Sequence, residues 1–270
     1  MYYFYPANSV GDNVDVYVFD TGIYLQHKDL GGRAKWGTDT IDSPSPLTDQ
    51  HGHGTHAAGT IGGAIFGIAK MANLIAVKVL NRRGKGSTKS IIKGAVWVED
   101  QHLKKMSKIT RANGSVANMS IGVRRSHSVN RAVESLIGSG VTTVVAAGNE
   151  FDDACKLSPA SVKTAITVGC TTSSDRFCVY SNVGKCVNIL APGQGIASCG
   201  IRGPVSVTTK SGTSFSVAHV TGVVAKYISS LNSLPTPAEV KKWIEKNATK
   251  NMIAKVPKGT PNKLVFMECY

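Results

Sequence analysis

The stretch Val14-Asp15-Val16-Tyr17-Val18-Phe19, which runs into Asp20-Thr21-Gly22, is the first of several short runs rich in β-branched and aromatic residues. Runs of this kind predict β-strands. Five more are predicted at residues 74–80, 117–121, 141–147, 165–168 and 187–190. Between them, residues 90–102 and 128–139 place their apolar side chains on one face, which is typical of amphipathic helices.

This alternation of strands and helices indicates the fold class, because it is typical of a mostly parallel sheet with helices on both faces. Thr236-Pro237-Ala238-Glu239 is a capping box with proline at the first helical position, and it predicts a further helix that ends near Ala248. We therefore expect an α/β fold of three layers with a mostly parallel central sheet. No repeat or linker divides the chain, so residues 1–270 are expected to form one domain.

Length and composition exclude two classes of protein. With 270 residues and 42% apolar side chains the chain has ample material for a core, which excludes a disordered protein. No window approaches about 18 consecutive apolar residues, so no membrane span is predicted. The start, Met1-Tyr2-Tyr3-Phe4-Tyr5-Pro6, lacks the basic flank and apolar stretch of a signal peptide.

The chain is strongly basic, with 31 Lys and Arg against 17 Asp and Glu and a net charge of +14. One dense stretch carries ten basic residues: Lys78, Arg82, Arg83, Lys85, Lys89, Lys93, Lys104, Lys105, Lys108 and Arg111. It lacks the interleaved aromatic residues of a single-strand nucleic-acid binder. We interpret the charge as a solvated basic face and expect neither a nucleic-acid nor a membrane partner.

Six cysteines lie in the second half of the chain: Cys155, Cys170, Cys178, Cys186, Cys199 and Cys269. None forms a CxxC pair or a zinc-ligand spacing with histidine, so structural zinc is not expected. Their even number and wide spacing fit disulfides in an oxidising compartment, while buried thiols in a reducing compartment remain the alternative.

Four polar clusters follow predicted strands or begin predicted helices, where the functional groups of parallel sheets collect. They are residues 19–22 (Phe-Asp-Thr-Gly), 49–56 (Asp-Gln-His-Gly-His-Gly-Thr-His), 146–149 (Ala-Ala-Gly-Asn) and 211–214 (Ser-Gly-Thr-Ser). Taken singly, Asp20 and Asn149 have an ordinary explanation as turn residues, and Ser214 as a helix start. The three histidines of the second cluster suggest a zinc site, but no HExxH pattern accompanies them and no metal is predicted.

Taken together, the clusters contain the four parts of an acyl-transfer site. Such a site needs a nucleophilic hydroxyl, an imidazole that takes its proton, a carboxylate that orients the imidazole, and donors for the oxyanion. Ser214, His53, Asp20 and Asn149 match these parts in that order. The chain order Asp, His, Ser is the order found in subtilisin.

The sequence resembles the subtilisin-like serine proteases, and within them the proteinase K and cerevisin branch. The resemblance runs from Asp12 to Leu231, and the segments 117–122 (Ala-Asn-Met-Ser-Ile-Gly) and 158–161 (Ser-Pro-Ala-Ser) add to it. It implies that residues 1–270 are one subtilisin-like peptidase catalytic domain and a serine endopeptidase. Ser214 would be the nucleophile, His53 the general base, Asp20 its orienting carboxylate and Asn149 an oxyanion donor. His56 would then be structural, and His51 a neighbour on the solvent side.

The resemblance also implies a substrate cleft. Ser120-Ile121-Gly122 and Ala146-Ala147-Gly148 would form two walls of the pocket for the side chain before the cut, and Gly84-Lys85-Gly86 would pair with the substrate backbone. Because both walls are small or apolar, we expect broad cleavage after apolar or aromatic residues. We further hypothesise that the neighbouring basic residues favour acidic residues two to four positions before the cut, the alternative being that they point into solvent: Arg82, Arg83 and Lys85.

Several residues depart from the family pattern. Phe215 replaces the usual methionine after the nucleophile and is expected to crowd the leaving-group side. Asn188 lies where relatives place a calcium-binding aspartate, and losing that charge weakens the site. The resemblance thus leaves a structural calcium open, and no cofactor is expected to be required.

The resemblance implies a disulfide between Cys155 and Cys186 and leaves the pairing of Cys170, Cys178, Cys199 and Cys269 open. It also implies an amino-terminal pro-segment outside this chain, a monomer, protein or peptide substrates, and a secreted or vacuolar or lysosomal location. The alternative function is a catalytically weak relative that keeps the fold and binds acidic partners through its basic face. A nucleic-acid binder, which charge alone would support, predicts steeply salt-dependent binding without hydrolysis.

Overall fold

In the computed structural model, residues 10–41, 46–107 and 114–267 are described. They contain thirteen strands: β1 (Asp15–Asp20), β2 (Ala34–Asp39), β3 (Asn73–Lys78), β4 (Ser115–Met119), β5 (Val123–Arg124), β6 (Thr142–Ala146), β7 (Leu157–Ser158), β8 (Ile166–Thr171), β9 (Ile189–Pro192), β10 (Ile196–Cys199), β11 (Val207–Lys210), β12 (Thr249–Lys250) and β13 (Lys263–Leu264). They also contain five α-helices: α1 (His53–Gly62), α2 (Thr88–Met106), α3 (His127–Gly138), α4 (Thr213–Ser229) and α5 (Pro237–Asn247). Two short 3₁₀ helices lie at Lys28–Leu30 and Ala154–Lys156.

Nine of the described strands form one sheet in the order β12-β13-β9-β8-β6-β4-β1-β3-β2. Its strand pairs are parallel except β12 with β13. The alternation of side chains along β1 shows how the layers are built. Val16 and Val18 pack with α1, α4 and α5 on one face, while Tyr17 and Phe19 pack with α2 and α3 on the other. The predicted three-layer α/β fold is confirmed.

Element boundaries differ from the predicted ones by a few residues. Helix α2 begins before the predicted residue 90 because the Ser87 hydroxyl accepts the N–H of Ser90 at 3.1 Å and caps the helix. Strand β9 begins later than predicted because the N–H of Val187 bonds Gly184 in a turn at 3.1 Å. The capping box of α5 forms as expected between Thr236 and Glu239.

Two disulfides connect segments near the carboxyl edge of the sheet. Cys155 is bonded to Cys186 with the Cα atoms 5.4 Å apart, as the resemblance implies. Cys170 is bonded to Cys178, a pair that the sequence left open. Cys199 is free and buried, and Cys269 lies outside the described residues. The two disulfides are consistent with an oxidising compartment.

Part of the basic stretch is buried or ion-paired, whereas its composition predicts a solvated face. Lys78, counted there as part of a solvated face, is fully buried, and its ammonium donates to the carbonyl oxygens of Thr21 at 2.6 Å and Leu80 at 3.1 Å. Lys104 and Lys105 form ion pairs with Asp100 and Asp15. Lys108 and Arg111 lie outside the described residues. Among the helices that the structure describes, none combines the length and the hydropathy needed to cross a bilayer.

Candidate active site

Three adjacent strands and two helices converge at one edge of the sheet. Strands β6, β4 and β1 are neighbours and parallel, so their carboxyl ends meet at this edge. Asp20 ends β1, Ser120 follows β4, and Asn149 follows β6. His53 is the first residue of α1 and Ser214 the second residue of α4. The sheet order therefore brings together groups that are far apart in the chain.

Asp20 and His53 form a close pair. Asp20 is fully buried, and both of its carboxylate oxygens lie 2.8 Å from Nδ1 of His53. The N–H of Thr21 also donates to Asp20 at 2.7 Å and fixes the carboxylate. Because Nδ1 faces the carboxylate, Nε2 of the same ring faces away from it. Burial lowers the pKa of His53, but the charge of Asp20 and its hydrogen bond outweigh burial and raise that pKa above its ordinary value.

Ser214 lies in the first turn of α4, where backbone N–H groups have no acceptor within the helix. The residue before the helix, Gly212, has no side chain to cap it. The Ser214 hydroxyl donates to the carbonyl oxygen of Ser120 at 3.4 Å, and the Ser120 hydroxyl donates to the carbonyl oxygen of Ser214 at 2.9 Å. This exchange holds the start of α4 against the end of β4.

Asn149 is exposed, and its amide has a defined orientation. Its Oδ1 accepts the backbone N–H of Thr213 at 2.9 Å and the hydroxyl of Thr213 at 3.1 Å. Two donors on one atom identify that atom as the oxygen. The NH₂ group therefore points away from Thr213, and Asn149 is tied to the residue directly before Ser214.

Two cavities occupy this edge, and both are lined by Ser120, Ile121 and Gly122. A larger cavity of about 490 Å³, named the cleft cavity here, is also lined by His53 and by the predicted substrate edge, residues 84–86. A smaller cavity of about 180 Å³, named the side-chain pocket, adds the remaining groups to its lining: Ala146, Gly148, Asn149 and Ser214. Most of the predicted catalytic and substrate-binding residues thus line one of these two cavities, whereas Asp20 is fully buried and lines neither.

Ala147 is an exception among the predicted pocket residues. It does not line the side-chain pocket, because it is fully buried and packs with Ala154 and Ala160 behind it. Successive side chains of an extended segment point to opposite sides, so Ala146 and Ala147 cannot both face the pocket. The assignment of Ala147 to the pocket wall was wrong.

Comparison with known proteins places this geometry in a family. The model of the subtilase family matches residues 11–264. The chain belongs to the subtilase family. It is 46% identical to subtilisin-like protease 1 of Pseudogymnoascus destructans, over 96% of this chain and 62% of that protein. It is 41% identical to the subtilisin-like serine protease Pen ch 18 of Penicillium rubens, over 96% of this chain and 54% of that protein. The chain thus spans somewhat more than half the length of these relatives.

A solved structure supports the same placement. The crystal structure of a cold-adapted subtilisin-like serine proteinase superposes with a TM-score of 0.88 at 41% identity. The match covers 97% of this chain and 92% of that one. The subtilase fold therefore extends across nearly all of the chain.

The other two histidines of the 49–56 cluster of this subtilase, His51 and His56, have different surroundings. His51 is exposed, and Nε2 of the fully buried His56 lies 2.9 Å from the carbonyl oxygen of Ile196. Burial lowers the pKa of His56 to about 4, which keeps its ring neutral. No group of three or more potential metal-binding side chains occurs in the described part of the chain.

Asn188 does not fit a calcium site. Its Oδ1 accepts the N–H of Thr167 at 2.8 Å, and its NH₂ group donates to Glu245 at 3.2 Å. Calcium requires several oxygen ligands, whereas here the oxygen is already used and the nitrogen faces the nearest carboxylate.

Phe215 lies elsewhere than the sequence suggests. Its side chain is 2% exposed and packs against the rings of His53, at a centroid distance of 5.1 Å, and His56, at 4.4 Å. It lies behind the imidazole of His53 and does not line either cavity. The expectation that it crowds the leaving-group side was wrong, because the ring turns into the contact between α1 and α4.

Sequence reasoning missed Glu150, although it directly follows Asn149. Glu150 lines the side-chain pocket, and its Oε2 accepts the N–H of Asn149 at 2.8 Å and the NH₂ of Asn182 at 2.9 Å. Arg124 lines the same pocket, so the pocket holds one acidic and one basic group beside its small and apolar walls.

Proposed function

We propose that this subtilase chain is one catalytic domain, that of a serine endopeptidase, and that it hydrolyses peptide bonds through an acyl-enzyme. The observation that carries the proposal is the Asp20–His53 pair, at 2.8 Å, whose imidazole packs against the ring of Phe215, the residue directly after Ser214. The alternative, a binding module without activity, gains little support because part of the basic stretch is buried or paired.

The first half of the reaction uses all four groups. The Ser214 hydroxyl turns from the carbonyl of Ser120 toward Nε2 of His53, gives it the proton and attacks the peptide carbonyl carbon. Asp20 stabilises the imidazolium that forms. The NH₂ of Asn149 and the N–H of Ser214 then donate to the oxyanion of the tetrahedral intermediate.

The second half releases the products. The intermediate collapses, the C–N bond breaks, and the imidazolium gives its proton to the leaving amine, which leaves Ser214 acylated. Water then loses a proton to His53 and attacks the acyl carbon, the C–O bond to Ser214 breaks to release the carboxylic acid, and the proton passes from His53 to the Ser214 oxygen. The cycle needs only these side chains, the substrate and water.

The test is hydrolysis of chromogenic peptides that differ only in the residue before the cut: Phe, Leu, Lys or Glu. Because Ile121, Ala146 and Leu157 give the side-chain pocket apolar walls and Glu150 adds an acidic group to its lining, we expect Phe and Leu to be preferred over Glu by roughly 10–200-fold in kcat/KM. A serine-directed phosphonyl or sulfonyl inhibitor is expected to stop the reaction. A folded chain that binds these peptides without hydrolysing them would support the binding-module alternative instead.

We expect activity to rise with pH, with an acid limb centred above the ordinary histidine pKa of 6.5. The general base is active only when neutral, and Asp20 raises the pKa of His53 against the effect of burial. A profile of kcat/KM against pH reports this ionisation in the free enzyme. An acid limb centred below the ordinary value would contradict the assignment of His53 as the base held by Asp20.

We also propose that the cleft cavity selects acidic residues two to four positions before the cut. Arg83 and Lys85 line it, and no Asp or Glu is among the described residues of its lining. Both residues are held in a tight turn, since Oδ1 of Asn81 accepts the backbone N–H groups of both, at 2.9 Å and 3.2 Å. Arg82 is exposed and does not line the cavity.

Peptides with Glu at these positions are expected to be cut about 2–5-fold faster than matched Gln peptides at low salt. This ratio corresponds to the free energy of one or two exposed ion pairs. The ratio should approach one near 1 M salt, where the Debye length is about 3 Å. Arg83→Gln together with Lys85→Gln should lower the ratio, whereas Lys242→Gln on α5 serves as the control. Equal rates for Glu and Gln peptides at low salt would reject the selection.

The family and the disulfides support further proposals on location, substrates, oligomeric state and maturation. We propose a secreted or a vacuolar or lysosomal location, because such compartments keep disulfides oxidised. We propose protein or peptide substrates, a monomer, and an amino-terminal pro-segment that assists folding and is then cleaved.

A further inference from the structure

A buried carboxylate that is none of the four proposed catalytic groups joins the elements that carry them. Asp49 is 4% exposed and lies in the loop before α1. Its Oδ1 accepts three hydrogen bonds, from the hydroxyl of Thr21 at 2.8 Å and the backbone N–H groups of His51 at 2.9 Å and Gly52 at 2.8 Å. Its Oδ2 accepts two, from the N–H of Thr55 at 3.0 Å and its hydroxyl at 2.7 Å. One side chain thus satisfies five donors.

Thr21 extends this contact to the catalytic pair. Its N–H donates to Asp20, while its hydroxyl donates to Asp49 and accepts the N–H of Gly54 at 3.0 Å. The chain of contacts therefore runs from the residue after Asp20 to the residue after His53. The two segments also approach closely, since a Cβ on Gly54 would lie 2.2 Å from the carbonyl oxygen of Gly22.

Asp49 also takes the place of a helix cap. The residue before α1 is Gly52, which adopts a φ of 87° and has no side chain to accept the free N–H groups of the first turn. Asp49 and the Thr21 hydroxyl accept these groups instead. A negative charge at a helix amino terminus is also favourable for the helix dipole. The start of α1, and with it His53, is therefore placed by Asp49.

We propose that Asp49 is a positioning residue for the Asp20–His53 pair, an inference that rests on the proposed function. It does not line either cavity, so it acts through the pair and not on the substrate. Its negative charge also favours the protonated imidazole of His53. The charged groups that face His53 are Asp20, Asp49 and Lys210, and the neutral titratable neighbours are His51 and His56.

Asp49→Asn tests the proposal, because the amide keeps the shape and one acceptor oxygen but presents N–H groups to the donors that faced the other oxygen. We expect kcat to fall by up to about 10²-fold, the effect of a small displacement of catalytic groups. KM should change by less than about twofold, because Asp49 removes no ground-state contact with the substrate. The acid limb of the pH profile should move to lower pH, because the loss of a negative charge lowers the pKa of His53.

Three variants separate positioning from stability. Thr21→Val removes the hydroxyl that links Asp49 to Gly54 and should lower kcat, whereas Thr21→Ser keeps the hydroxyl and should retain most of it. The matched control is Thr60→Val, because Thr60 is also buried in α1, and its hydroxyl donates to the carbonyl of His56 at 3.0 Å. The control should lower thermal stability without moving the acid limb.

The outcomes are distinct. The inference is overturned if the Asp49→Asn variant is less stable but keeps the wild-type kcat and the wild-type acid limb. It would then behave as we expect of the control, Thr60→Val. If Asp49→Asn does not fold, a Thr21→Val variant with wild-type kcat overturns it instead. If the wild type itself cleaves nothing, the proposed function fails, and NMR titration of the His53 ring still decides the inference. An unshifted ring pKa in Asp49→Asn counts against it. Where only Thr21→Val folds, an unshifted ring pKa in that variant counts against it, because a displaced Asp20 would raise the pKa of His53 less.

Discussion

Ser214→Ala is expected to lower kcat by roughly 10⁶-fold, the loss found when the nucleophile of a triad is removed. The Ser214 hydroxyl is the one that both lines the side-chain pocket and lies at the start of α4. Alanine removes only the oxygen, so the pocket and the Asp20–His53 pair should remain. Peptide binding should therefore persist while hydrolysis falls to the residual rate that the oxyanion donors support.

The measurement is steady-state hydrolysis of an apolar chromogenic peptide, with a fluorescence titration of peptide binding to the same variant. Ser230→Ala is a matched control, because Ser230 lies exposed at the other end of the same helix. Wild-type hydrolysis by Ser214→Ala would remove the serine from the proposed mechanism. If Ser214→Ala loses both hydrolysis and its folded state, titration of the wild type with the serine-directed inhibitor would identify the nucleophile instead.

Changing Asn149 is expected to lower kcat by about 10²–10³-fold with little effect on KM, which is the cost of losing one oxyanion donor. Asn149→Asp is the sharper of two substitutions. It keeps the oxygen that accepts the N–H of Thr213, and it replaces the donor NH₂ group with a second oxygen. Asn149→Ala loses both contacts. A catalytic donor predicts a large loss of kcat in both variants.

A structural role for Asn149 predicts a different order of effects. Asn149→Asp would then remain active, because its contact with Thr213 survives, and only Asn149→Ala would lose activity. Stopped-flow kinetics of acylation in the two variants separates these cases. Asn130→Asp on α3 is the control for replacing an amide with a carboxylate. The NH₂ group of Asn130 donates to Ser161, and Asn130 lines neither cavity.

Much of the fold could be predicted from the sequence because strand and helix periodicity are local properties. The placement of Asp20, Asn149 and Ser214 at one edge of the sheet could be predicted for a related reason, since each follows a predicted strand or begins a predicted helix. The ends of the helices and strands were harder to predict from the sequence. Helix α2 starts with a serine pair, Ser87 and Ser90, whose mutual hydrogen bonds cannot be distinguished in sequence from those of loop serines.

Groups whose role depends on the packing of distant segments escaped prediction. Lys78 belongs to a basic stretch in sequence, yet it is fully buried and bonds the carbonyl oxygen of Thr21. Phe215 follows the nucleophile, yet its ring turns away from the substrate and packs on two imidazoles. The local sequence does not specify these contacts, because the carbonyl of Thr21 and the two imidazoles come from segments far along the chain.

The meeting of β1, β4 and β6 with α1 and α4 has a consequence for how activity appears during folding. Asp20 ends β1, the first described strand in the chain, and Ser214 lies at the start of α4, which follows the eleventh strand, β11. Long-range contacts of this kind form slowly, because wide loops must close before they are made. An intermediate in which α4 has not yet docked therefore carries no competent nucleophile. Hydrolysis by the proposed mechanism therefore begins only once α4 is docked against the sheet.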